Sequence, residues 1–263
     1  MSLFELRARV PGKTRTLLEF AGLFGFLVLW QLVAMKIDSP GILPSPSVVL
    51  SSFPELHFQD LLIQNMIFSI KINVLGYLQA VLISIPLGFI IGLYTPIGAV
   101  VSRYVDAIRY IPLTAVTGLF IAWFGIYLNM KVQFLAFGVF VYLLPVVVQR
   151  VKEVDEVYVQ TAQTLGATSW QTIIKVFVPG VLSRLSDDIR VLTAISWTYI
   201  IVAELVNNEG GVGSLIFRAA RQSRLDKVFA LLFVIIVIGV LQDKIFLWLD
   251  RRVFKFKYTK GGS

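Results

Sequence analysis

Six long stretches of the chain run with almost no Asp, Glu, Lys or Arg. They occupy residues 20–35, 72–94, 110–130, 132–149, 191–206 and 228–249; Glu204 interrupts the fifth, and the sixth is uncharged up to Asp243. A helix crossing the hydrocarbon core of a bilayer needs about 20 mostly apolar residues. With their flanking residues the runs predict spans over about 17–36, 65–94, 106–127, 131–150, 187–206 and 227–249. The pattern calls for an all-α membrane protein of six transmembrane helices, a single domain over residues 1–260. Gly261-Gly262-Ser263 reads as an appended linker and is set aside.

Two connections carry structure of their own. Between the first two spans Pro40, Pro44 and Pro46 break the chain, and a short helix is expected from Ser47, with Val48, Val49 and Phe53 on its apolar side, until Pro54 disturbs it. Residues 153–179 read as two short amphipathic helices set at an angle. In the first, Val154, Tyr158, Ala162 and Leu165 share one face. Gly166 follows, where glycine enters the left-handed conformation cheaply. Thr168-Ser169-Trp170-Gln171 fits a capping box, with Thr168 capping the second helix and Gln171 reaching back. Trp170, Ile173, Ile174 and Phe177 form its apolar stripe, and Pro179 is expected to end it. Neither helix is long enough to span. Such a pair either lies on the membrane surface or is an element that a cytoplasmic partner grips and moves.

Composition supports the membrane reading. The 263 residues are 57% hydrophobic and 15% charged, with a mean hydropathy of +0.79, whereas a soluble domain carries about 25% charged residues. Zero cysteines exclude disulfides and thiolate metal sites, and one histidine, His57, excludes a multi-histidine site. The net charge of +8 reflects basic cytoplasmic loops rather than nucleic-acid binding. With the N-terminus inside, 17 of the 24 Lys and Arg fall on the cytoplasmic side, including Arg7, Arg9 and Lys260; six fall outside and Lys71 lies in a span. The count places both termini in the cytoplasm, although Arg218, Arg221, Arg224 and Lys227 stand against it. Val33-Ala34-Met35-Lys36 lacks a small-x-small cleavage pattern, so the first span is read as a retained helix.

The 153–179 loop resembles the signature loop of ABC-importer permeases, whose pattern is Glu-Ala-Ala, three residues, Gly, nine residues, Ile-x-Leu-Pro. Here it stands as Gln160-Thr161-Ala162, Gly166 and Val176-Phe177-Val178-Pro179 with every spacing kept; Gln160 replaces Glu and Thr161 replaces Ala. Ile111-Pro112-Leu113, Ala122-Trp123-Phe124-Gly125, Ala203-Glu204 and Gly210-Gly211-Val212-Gly213 are similar to the nitrate/sulfonate/taurine/bicarbonate branch, so the resemblance covers roughly residues 65–252. It implies a type I importer fold in a bacterial inner membrane. It also implies a second permease copy, and ATP-binding subunits docked on a coupling loop that includes Gln160, Thr161, Ala162, Gly166, Ala167, Thr168, Ser169, Trp170 and Pro179. Substrate, a small oxyanion such as a sulfonate, nitrate or bicarbonate, would come from an external binding protein. ATP and Mg would reside in the partner, with no cofactor in this chain. Gly12-Lys13-Thr14 mimics half a Walker A loop, but Arg7 occupies the first glycine position.

Within the spans Thr114, Thr117, Ser196, Tyr199 and Glu204 are candidates for a pathway or gate. Glu204 reads as a structural or gating residue rather than a substrate ligand, since a carboxylate repels an anion; the plainer alternative is an interfacial carboxylate paired with Arg218 or Arg221. Lys71 reads as snorkelling to the interface, and Asp106 and Arg109 as an i,i+3 pair. Gly88, Gly92, Gly118 and Gly138 would permit close helix approach, and Pro86, Pro112 and Pro145 should kink their helices. The rival functions are a secondary transporter without an ATPase, which would show inverted repeats and paired buried charges, an importer of a neutral organic nutrient, and a membrane enzyme, for which the nucleophile–base pair is lacking.

Overall fold

The computed structural model describes residues 11–37, 39, 41–206 and 209–258. Arg7, Arg9, Pro40, Lys260 and the tail 261–263 lie outside the described residues. Among the described residues every regular element is helical: α1 (Gly12–Ile37), α2 (Pro46–Ser51), α3 (Phe53–Phe58), α4 (Leu62–Leu93), α5 (Thr95–Ile108), α6 (Leu113–Phe124), α7 (Leu128–Lys152), α8 (Glu156–Thr164), α9 (Ser169–Thr172), a π-helical turn (Ile173–Phe177), α10 (Val178–Glu204), α11 (Val212–Arg221), α12 (Leu225–Val253) and α13 (Lys255–Tyr258). A chain in lipid must satisfy its backbone internally, and helices do so within one segment.

α1, α4, α7 and α12, with 26, 32, 25 and 29 residues, are long and apolar enough to cross a bilayer. A straight third span over 106–127 is not formed. α5 and α6 meet at a bend of 102°, and the 12 residues of α6 reach only about 18 Å at 1.5 Å per residue. The cause is Pro112, which has no N–H to donate and pushes Ile111 out of the helical region; its own ψ is 116°. The proline breaks the helix where a kink was expected, and the supposed connection before it is the helix α5. The expected Asp106–Arg109 pair is present at 3.3 Å on the exposed side. Pro86 and Pro145 stand inside α4 and α7, which continue through them.

Pro179 does not end the helix before it. α9 passes through the π turn directly into α10, and Pro179 occupies the first turn of α10, where a missing N–H costs least. The widened turn absorbs the misfit that would otherwise break the run. α10 therefore begins well before residue 187 and carries Arg184, Asp187, Asp188 and Arg190 in its first half. Near Ser47 the chain forms two helices, with Pro46 opening α2 and Pro54 in the first turn of α3.

The chain divides into two compact units. The first comprises Met1–Leu61 with Arg218–Phe233. α1 buries only Ala34, the pattern of a helix that meets lipid on most sides. Trp30 donates to the Pro44 carbonyl at 3.1 Å and packs its ring 5.6 Å from Phe229. A charge cluster then holds α3 to the start of α12: Glu55 pairs with Arg224 and Lys227, each at 2.7 Å, Lys227 also reaches Asp60 at 2.6 Å, and Arg224 reaches Asp226 at 2.8 Å. The Arg224 and Lys227 hydrogen bonds hold the Glu55 carboxyl at about 2.

The second unit comprises Leu62–Phe217 with Val234–Ser263. Its centre is α7, whose Met130, Phe134, Leu135, Leu143 and Val147 are fully buried. α4 presents Gly76, Ala80, Ser84, Gly88 and Gly92 at every fourth position, one face of a helix, and such small residues let membrane helices approach backbone to backbone. A Cβ on Gly76 would lie 2.9 Å from the Val132 carbonyl oxygen, and one on Gly92 2.7 Å from Val151 Cβ. Gly138 lies equally close to Leu113 and Tyr199, whereas Gly118 has nothing within 4 Å, so the close approach expected there is not made. α6 packs on α7 through Phe120 and Phe134, edge to face at 5.5 Å. Gln79 and Gln133 exchange hydrogen bonds of 2.7 and 3.2 Å between α4 and α7.

Gly92→Ala should destabilise the protein by about 1–3 kcal/mol through overpacking, while Gly118→Ala, inside α6 with open space around it, should stabilise it by about 0.5–1 kcal/mol; denaturant unfolding in detergent reads both. A carboxylate held at about 2 against 4.5 in the unfolded chain contributes stability that is complete above 4.5 and is lost as pH falls towards about 2. The melting temperatures of wild type and Glu55→Gln should therefore differ at neutral pH and converge over that descent.

Candidate functional site: the α8–α9 elbow and the Glu204 cap

α8 starts where the Asp155 carboxylate accepts from the Val157 N–H at 2.9 Å, a side-chain cap for an otherwise orphaned donor. It ends at Gly166, whose φ of +79° belongs to the left-handed region that a side chain disfavours. The Gly166 and Ala167 amides bond back to the Gln163 and Ala162 carbonyls at 2.9 and 3.0 Å, closing the turn. α9 then opens on the expected capping box: the Gln171 N–H donates to Thr168 Oγ1 at 3.3 Å and the Thr168 N–H to Gln171 Oε1 at 2.8 Å.

The elbow is framed from below by charge. Arg150, at the end of α7, makes a forked pair with Asp188 of α10 at 2.7 and 2.9 Å and a further bond to Glu153 at 2.7 Å. Bidentate geometry of this kind fixes orientation as well as distance. The Arg150 and Gln149 hydrogen bonds hold Glu153 below the usual carboxylate range. Both ends of the loop, where it leaves α7 and where it returns in α10, are thus anchored.

Its apolar side chains are not covered. Tyr158 is 63% exposed, Leu165 82% and Trp170 69%, with Val157 and Ile174 also exposed. Gln160, Thr161 and Ser169 are exposed beside them, while Ala162, Ala167 and Pro179 are half-buried. Ala162, Tyr158 and Leu165 form one wall of a cleft of about 490 Å³ closed by Val176, Gly180 and Phe256. Tyr158 and Leu165 thus leave apolar surface uncovered on the cleft side of the elbow, and Trp170 leaves more at the start of α9.

At the other end of α10, Glu204 is completely buried. Its Oε1 accepts from the Ser69 hydroxyl at 2.6 Å and its Oε2 from the Gly213 N–H at 2.7 Å. Gly213 lies in the first turn of α11, so the carboxylate caps that helix, where a negative charge is favoured. Asn65 Oδ1 accepts from the Gly211 N–H at 2.7 Å, Ser69 Oγ from the Val212 N–H at 2.9 Å, and the Ser214 hydroxyl donates to the Glu204 carbonyl at 2.8 Å. Gly210 and Gly211 have φ of 121° and 103°, and a Cβ on Gly211 would fall inside the carboxylate. The glycine run is a tight turn shaped around Glu204.

The other candidates within the spans are dispersed. Ser196 is fully buried, accepts from Asn73 Nδ2 at 2.9 Å and donates to the Thr193 carbonyl at 2.6 Å. Trp197 joins the same layer through Gln242 at 2.8 Å. Tyr199 stacks on Tyr142 with centroids 6.3 Å apart. Thr117 donates to the Thr114 carbonyl at 3.0 Å, within its own helix, and Thr114 is exposed. Lys71 is exposed. Sequence reasoning missed Ser69, Asn65 and Lys131. Lys131, counted as a loop charge between two spans, is completely buried in the first turn of α7; its place in a near-continuous apolar run was the available signal.

Residues 84–255 match the family described as the binding-protein-dependent transport system inner membrane component. A protein of Methanocaldococcus jannaschii assigned as an ABC transporter permease is 33% identical over 84% of this chain and 88% of its own length. The taurine transport system permease protein TauC of Escherichia coli is 28% identical over 95% of this chain and 93% of its own. Among solved structures, the MetNI methionine ABC transporter in inward-facing conformations matches with a TM-score of 0.66 at 18% identity, over 74% of this chain and 97% of the other, which shows a shared fold. The chain belongs to the binding-protein-dependent permease family. It is a multi-pass membrane protein and the permease subunit of an ABC importer, a family that works with ATP-binding subunits and a substrate-binding protein. The secondary-transporter reading is thereby set aside.

Gly211→Ala should displace Glu204 and strain the turn, at a cost of about 1–3 kcal/mol for the backbone alone; a fall in the detergent melting temperature with retained helical circular dichroism is the expected result.

Proposed function

We propose that the α8–α9 elbow is the docking surface for an ATP-binding subunit, and that movement of that subunit drives α10 and opens the pathway alternately to each side. The observation that carries this reading is the exposed apolar surface of Tyr158, Leu165 and Trp170 on a turn whose two helices are capped by Asp155 and Thr168 and whose two ends are anchored by Arg150. A surface built that firmly resists deformation and passes on displacement. Gln160, in place of the family glutamate, is exposed beside Thr161 and Thr164 and offers a neutral amide to the partner.

The proposed topology has six crossings: α1, α4, the bent α5–α6 pair, α7, α10 and α12. Both termini and the elbow are cytoplasmic. ATP and Mg are bound by the partner subunit, and hydrolysis belongs to it. Two copies of this chain pair, each gripped by one ATP-binding subunit, in the bacterial inner membrane. The substrate is a small oxyanion delivered by an external binding protein; the taurine permease relative supports a sulfonate, whose tetrahedral head carries one delocalised negative charge. ATP and the loaded binding protein favour different conformations, which is the thermodynamic condition for driving an alternating pathway.

The combined change Gly166→Val and Trp170→Ala tests the docking. Loss of one aromatic anchor at an interface costs about 2 kcal/mol or more, more than tenfold in affinity. The ATP-binding subunit should be lost on co-purification while the permease keeps its size-exclusion profile. Retention at wild-type stoichiometry rejects the proposal.

A further inference from the structure

Lys131 is the one completely buried cation among the described residues whose ammonium makes no hydrogen bond. Nζ lies 5.2 Å from the centroid of the Phe68 ring. A cation over an aromatic face recovers only part of what water gave it. The next residue of α4, Ser69, donates to Glu204. Two consecutive residues of one helix thus hold a buried cation and a buried anion.

The partners of the Glu204 carboxylate, a hydroxyl and a backbone amide, are both neutral. With the N-terminal dipole of α11 they offset part of its charge but supply no full counter-charge. An isolated ion in a low-dielectric interior is strongly disfavoured unless an opposite charge is buried with it. Among the described residues, Glu204 and Glu209 favour the charged form of Lys131, and Lys131 favours the charged form of Glu204. The pairing runs through space, with Lys131 against Phe68 and Glu204 against Ser69 of α4.

We infer that Lys131 is the counter-charge of Glu204, a positioning residue that ties the first turn of α7 to the turn between α10 and α11. It acts on transport through Glu204. The same arrangement explains why a lysine occupies a site that a methionine would fill at lower desolvation cost.

The test is a double-mutant cycle in the assembled transporter with its ATP-binding subunit and binding protein. Lys131→Met keeps the length and apolar stem of the side chain, and Glu204→Gln keeps an oxygen for the Gly213 N–H. Each single change should lower substrate uptake about tenfold, because it leaves the other charge buried alone. Lys131→Met with Glu204→Gln should recover to within about threefold of wild type, and Lys131→Arg should retain most activity. The ATP-binding subunit should co-purify with every variant, which separates this outcome from failure of the docking proposal. Additive losses in the double variant, or uptake by Lys131→Met equal to wild type, overturn the inference. Should Lys131→Met fail to accumulate in the membrane, recovery of folded protein on adding Glu204→Gln supports the pairing, and failure of both overturns it.

Discussion

Where α4 meets α7 the two backbones approach more closely than ordinary side chains allow, because positions 76, 80, 84, 88 and 92 of α4 are Gly, Ala, Ser, Gly and Gly. In lipid the hydrophobic effect does not drive helices together; dispersion contacts and interhelical hydrogen bonds must do it. A continuous strip of small residues maximises those contacts, and Gln79–Gln133 adds a reciprocal amide pair across the same seam. Once α7 is seated against α4, its remaining faces are free to receive α6 and α10. The Phe120–Phe134 contact and the close fit of Tyr199 over Gly138 follow from that placement.

α10 has the elbow at one end and the buried Glu204 at the other. One end emerges from a π turn beside the elbow and is held to α7 by the Arg150–Asp188 fork. The other ends in Glu204, which caps α11. A helix of 27 residues is about 40 Å long, close to the full depth of a membrane, and behaves as a rod between them. In the proposed mechanism a push at the elbow is delivered at the cap. In that mechanism the π turn is where the motion begins, since such turns recur at functional positions. Polar groups between the ends, Asn73, Ser196, Trp197 and Gln242, bond to one another and fix the rotation of α10 about its axis.

Local chemistry was readable directly from the chain wherever neighbours in sequence decide the outcome. The Thr168–Gln171 box, the left-handed Gly166 and the long apolar runs of α1, α4, α7 and α12 required only nearby residues. Pro112 and Pro179 were recognised as disturbances, but the size of each was not. At Pro112 no flanking structure compensates and the helix breaks by 102°; at Pro179 a widened turn takes up the misfit and the helix continues. Gly118 and Gly138 look alike in sequence, yet only Gly138 meets a neighbour.

What the sequence by itself determined was the membrane class, the helical runs, the capped elbow and the family resemblance, because hydropathy, capping and motif spacing act over a few residues. Tertiary structure alone decided which glycines lie in the α4–α7 seam, that Ser69 and Gly213 hold Glu204, and that Lys131 is buried beside Phe68 rather than solvated in a loop. Those outcomes join residues as much as 135 positions apart. A charge in a membrane is placed by the partners that compensate it, and partners that distant in sequence become visible only when the helices are packed.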